Sequence, residues 1–111
     1  MIWRIRERRE FTRLTAEGQR ARAGVLWCTY VLDPPGISTP PRVAFALGRA
    51  LGPAVVRNRV RRQLKAMLQD ASSAGHLPPG IYLFGAKPIA ASRSRVELQF
   101  DLSNLLGRLP S

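Results

Sequence analysis

No aspartate or glutamate stands between Arg42 and Gln69. That interval holds Arg42, Arg49, Arg57, Arg59, Arg61, Arg62 and Lys65. A helix built only to pack and stay soluble intersperses the two signs, because like charges one turn apart repel. Other absences narrow the options further. The one cysteine, Cys28, lies in the apolar run VLWCTYVL. It excludes an intrachain disulfide and a cysteine zinc cluster, and it reads as a small buried hydrophobe. The one histidine, His76, sits in GHLPPG and reads as a surface loop residue. No apolar run approaches the ~20 residues of a membrane span. The N-terminal MIWRIRERRE lacks the apolar core of a signal peptide, so a cytoplasmic protein is expected.

Catalytic constellations are also missing. The carboxylates Glu7, Glu10, Glu17, Asp33, Asp70, Glu97 and Asp101 form no spaced pair suited to acid–base work. Gly48 and Gly52 precede a helix start, but Pro53 follows where a phosphate loop needs Lys-Ser/Thr. Any nuclease chemistry is therefore expected to draw its catalytic groups from elsewhere.

What is present is a chain of 111 residues with net charge +11 and 45% apolar residues. That is one domain, 1–111, with a modest core rather than a disordered basic tail. The charge makes nucleic acid the leading partner and acidic lipid the second. Of the 18 basic residues only Lys65 and Lys87 are lysine. Guanidinium groups bind phosphate bidentately and stack on bases. The charge falls in two blocks, residues 1–22 and 42–65, which a fold could bring onto one surface.

The patterning predicts a helix over 7–16, a strand over 24–32 with an additional strand starting near Arg20, and a loop at DPPGISTPP. A strand over 42–48, a helix over 53–69, a loop at SSAGHLPPG and a strand over 80–86 follow. The leucines from Leu98 to Leu109 predict a helix over 94–109, with Ser94 and Glu97 as a capping box. The alternation of Val96, Leu98, Phe100 and Leu102 is also compatible with a strand. At about 100° per residue, Val56, Val60, Leu64 and Met67 form a core stripe on the central helix, with Leu68 at its edge. Arg57, Arg61 and Lys65 make the adjacent row, with Asn58 and Arg62 beyond it and Arg59 alone on the other flank. A helix between two strands favours docking on folded RNA over reading a DNA major groove.

The stretch RVAFALGRALGPAVVRNRVRRQLKAML, residues 42–68, closely resembles the signature of the bacterial ribonuclease P protein component. The matching positions are Gly52, Ala54, Val55, Arg57, Asn58, Arg59, Arg61 and Arg62. Looser likeness runs along nearly the whole chain, including Phe11, Gly18, GIYLFGAKPIA and the leucine-rich C-terminus. The resemblance implies an α+β two-layer sandwich of order α-β-β-β-α-β-α, like the second domain of a small-subunit ribosomal protein, with a left-handed β-α-β crossover. It implies a subunit that binds the ribonuclease P RNA through Arg49, Arg57, Asn58, Arg59, Arg61, Arg62 and Lys65, one protein per RNA. The substrate is precursor tRNA, whose 5′ leader would lie in a groove with Phe11 and Trp27, Tyr30 being the other nearby aromatic that could face it. The holoenzyme is an endoribonuclease whose catalytic groups, with Mg2+, belong to the RNA; no membrane is involved. The chain departs from the family pattern at Ala50, Ala66 and Gly80, and Thr15 and Thr29 stand where groove aromatics are usual. A general RNA-binding or ribosomal protein and a stand-alone nuclease are the rival readings.

Overall fold

The computed structural model describes residues 1–110. Five strands and three helices follow the chain as β1 (Trp3–Arg4), α1 (Arg8–Glu17), β2 (Gln19–Ala23), β3 (Leu26–Leu32), β4 (Arg42–Ala46), α2 (Ala54–Ser73), β5 (Gly80–Ala86) and α3 (Arg95–Leu106). Short 3-10 turns at Arg49–Leu51 and Pro88–Ser92 lead into α2 and α3. The strands form one sheet in the order β1-β4-β5-β3-β2. β4 and β5 are parallel and joined by α2, whereas β3 runs antiparallel to both β5 and β2.

The α-β-β-β-α-β-α order holds, with β1 as an unforeseen addition. Two residues are too few to show a period. They become a strand only because Trp3 and Arg4 pair in parallel with Arg42 and Val43.

The sheet alternation divides the core in two. On one face Cys28, Tyr30, Val43, Tyr82 and Phe84 pack against Val60, Leu64, Met67 and Leu68 of α2 and Leu98, Leu102 and Leu105 of α3. This is the two-layer sandwich. On the other face Leu14 of α1 and Ile5 pack on Ile81, with Val31, Ala44 and Leu83 around them. Cys28 is fully buried, and burial pushes its thiol up to about 12, partly offset by a backbone hydrogen bond with Ala21.

The predicted elements shift at their ends. Ser72 and Ser73, read as loop, close α2. The Ser72 hydroxyl donates to the Met1 carbonyl at 2.8 Å and accepts from the Met1 amine at 3.4 Å, and these long-range bonds support the extra turn. The helical reading of 96–102 is the correct one. Leu98 and Leu102 are fully buried while Val96 and Phe100 are exposed, a spacing of four within each pair. The Ser94–Glu97 capping box is complete, and α3 stops at Leu106 rather than Leu109.

Candidate nucleic-acid interface

The register aligns three rows of residues across the face that α1 covers. The first is Arg42, Ile81 and Val31; the second is Ala44, Leu83, Thr29 and Arg20; the third is Ala46, Gly85, Trp27 and Arg22. Leu14 and Ile5 seal the first row and reach into the second. Ala46 and Arg22 at the ends of the third row are exposed. The sheet surface beside α1 therefore carries Trp27, Gly85 and Ala46, with Arg20 and Arg22 of β2 at one end.

Trp27 and Tyr30 both lie on β3, and alternation separates them. Tyr30 is buried on the α2–α3 face, 6.2 Å from the Tyr82 ring centre. Trp27 is on the α1 face, with the Arg20 guanidinium 4.5 Å from its ring centroid. Phe11 is exposed on α1 and borders a crevice with Ala44, Phe45, Arg61 and Lys65. The fold thus brings Phe11 and the α2 cations to one crevice at the β1–β4 edge of the sheet. Trp27 stands two strands away on β3.

The α2 residues divide by burial. Asn58, Arg62 and Lys65 are exposed, as is Arg49 in the turn before the helix. Arg57 and Arg61 are half-buried, and Arg61 donates to the Asn58 side-chain oxygen at 2.7 Å. Arg59 differs. It is half-buried and donates to the Ala91 carbonyl at 2.6 Å, so part of its fork is committed within the protein.

Ion pairing sharpens the contrast. Among the described residues, Arg9, Arg13, Arg42 and Arg93 pair with carboxylates. None of the six cations at 49–65 has such a partner among the described residues, and the same is true of Arg4, Arg6, Arg20 and Arg22. The Nε of Arg57, like those of Arg59 and Arg93, is buried with no acceptor among the described residues, and a buried donor left unmade costs about 1–3 kcal/mol. Six of the seven carboxylates, all but Asp70, are occupied elsewhere. Glu10 and Asp33 each meet Arg42 at 2.9 Å, and Asp101 accepts from the Val25 amide at 3.1 Å. No three His, Cys, Asp or Glu side chains converge among the described residues.

The family model for ribonuclease P matches residues 2–110. The chain belongs to the ribonuclease P protein family. It is 38% identical over 113 residues to the ribonuclease P protein component of Streptomyces bikiniensis, covering 96% of this chain and 90% of that one. It is 36% identical over 109 residues to the component of Thermobifida fusca, covering 93% and 73%. In three dimensions it resembles the ribonuclease P protein of Thermotoga maritima, with TM-score 0.81, 20% identity, and coverage of 96% and 100%. The Staphylococcus aureus protein gives 0.80, 20%, 95% and 93%. At that identity the structural likeness shows the ribonuclease P protein fold and no more. The coarse role is that of the protein component of a tRNA-processing ribonuclease.

Two family departures now have physical settings. A side chain at Gly80 would begin 2.6 Å from the Val31 carbonyl oxygen, so only glycine fits against this strand. Thr29 occupies the position of a usual aromatic, and its methyl lies 2.5 Å from where a Gly18 side chain would start. The sequence reading did not single out Arg20 and Arg22, which the fold sets beside Trp27, or the exposed Trp3. The alternation of QRARA, with alanines buried and arginines exposed, was the available signal.

Proposed function

We propose that this chain binds the ribonuclease P RNA through α2 and holds the 5′ leader of precursor tRNA in the groove beside α1, so assisting endonucleolytic release of the leader in the cytoplasm. Arg49, Arg57, Asn58, Arg61, Arg62 and Lys65 meet the RNA. Arg59 contributes whichever donors Ala91 leaves free. Phe11 and Trp27, with Arg20, serve the leader. The observation that carries this reading is the un-neutralised basic row of α2, in which no cation meets a carboxylate among the described residues. A row of cations without carboxylates is stabilised by phosphate, and counterions released on binding add to affinity. The second support is the groove, where an aromatic ring and guanidinium groups suit an extended single strand.

The chain supplies position and charge, not catalytic groups. Its cations screen repulsion between two RNAs and so lower the magnesium they require. Magnesium and the reacting groups stay with the RNA, one protein to each RNA subunit. The test is cleavage of a precursor tRNA by the cognate ribonuclease P RNA at low magnesium, with and without this protein. Restored 5′ cleavage, with the protein inert alone, supports the reading. Binding to many RNAs equally, without stimulation, would leave a general RNA-binding protein. Cleavage by the protein alone would make it a nuclease in its own right.

A further inference from the structure

We propose that Trp3 is a stacking site for an unpaired nucleobase, with Arg4 and Arg6 receiving the adjoining phosphates. The inference rests on the RNA-binding reading above and extends it to β1, where the surface of α2 and that of Phe11 meet. Trp3 is 49% exposed. Its backbone is nonetheless pinned. Its amide donates to the Pro41 carbonyl at 2.8 Å, and the Ile5 amide donates to the Val43 carbonyl at 3.0 Å. Ile2 packs on the main core and Ile5 is buried under α1. The indole is thus presented to solvent from a strand anchored on both sides.

A single exposed apolar residue is ordinary on any protein. The surroundings of Trp3 are what point to a ligand. It borders the crevice that contains Phe11, Arg61 and Lys65, and also a second crevice lined by Arg6 and Arg13. It therefore marks the seam between the two basic blocks of the chain. The acids of the second crevice are spent, Glu7 on Arg9 and Glu10 on Arg42. Arg4 and Arg6 have no carboxylate partner among the described residues. An exposed indole beside unpaired guanidinium groups fits a base with its flanking phosphates, and stacking of this kind is indifferent to sequence.

The unpaired base can come from the catalytic RNA or from the leader, and the experiment separates them. Wild type, W3A and W3F are reconstituted with the cognate RNA. One arm measures affinity of the protein for that RNA. The other measures holoenzyme affinity for precursor tRNAs of increasing leader length and for mature tRNA. W3A should weaken one arm about tenfold, and W3F should recover most of the loss. A loss confined to long leaders assigns the base to the substrate; a loss in the first arm assigns it to the catalytic RNA. Only one other tryptophan exists, Trp27, so the difference in fluorescence quenching between wild type and W3F isolates the Trp3 signal. Equal binding by W3A and wild type in both arms, or equal losses in W3A and W3F, would overturn the proposal. Failure of the wild-type protein to stimulate cleavage would instead sink the reading on which it rests.

Discussion

Trp27 occupies the space that a side chain on Gly85 would need. A β-carbon built on Gly85 would stand 2.1 Å from the indole Cζ2. The two residues are cross-strand partners in β3 and β5. Arg20 lies over the ring at 4.5 Å, so the indole is held between a bare backbone and a cation.

This relationship makes Gly85→Ala a direct probe of the groove. The added methyl must displace the indole, because Gly85 backbone in mid-sheet has little room to move. We expect a stability loss of about 1–3 kcal/mol and a change in tryptophan emission. Leader affinity should fall with little change in affinity for the catalytic RNA. Unchanged emission in a folded variant would mean that Trp27 does not rest on Gly85.

The α2 arginines should separate into two classes. Arg61→Ala should weaken binding to the catalytic RNA and reduce the log–log salt slope by about one unit, with little loss of thermal stability. Arg59→Ala should cost stability as well, about 1–2 kcal/mol, because the Ala91 carbonyl loses a charged donor. Parallel salt titrations and thermal melts of the two variants test this. Identical melts would return Arg59 to the same class as Arg61.

Asp101 ties α3 to the turn between β2 and β3. Its carboxylate accepts from the Val25 amide, and it fills the space beside Gly24, whose φ is +57°. Asp101→Ala should leave that amide unpaired and cost about 1–3 kcal/mol. Gly24→Ala should be at least as harmful, since it adds left-handed strain to a collision with Asp101. Denaturant titration of both variants measures the effect.

Cys28 should resist thiol reagents in the native protein near pH 8 and react fully once unfolded. Its folded value is raised from 9.0 to about 12 by burial. The sign follows from linkage: the stabilisation is fully present below the unfolded thiol value and is lost as pH rises from about 9 toward 12. Rapid native-state labelling at pH 8 would show that the strand around Cys28 opens readily.

Much of this fold was legible in the chain itself. β5 was read to the residue, and the Ser94–Glu97 capping box was visible because both partners lie three positions apart. The α2 stripe of Val60, Leu64 and Met67 was equally local, since helical geometry decides which side chains share a face. Element ends were less legible. The last turn of α2 depends on Ser72 meeting Met1, 71 residues away in sequence, and β1 exists only by pairing with β4.

For the candidate site, sequence alone determined the charge, its single sign from Arg42 to Gln69, and the identity of the basic row. These are properties of composition and of a 3.6-residue period. Only the tertiary structure decided which cations remain unpaired among the described residues, that Arg59 turns to Ala91, and that Trp27 rather than Tyr30 lies on the α1 face of the sheet. It also brought Phe11, Arg61 and Lys65 to one crevice at the sheet edge. Those facts depend on sheet register and on partners distant in the chain, which no local pattern encodes.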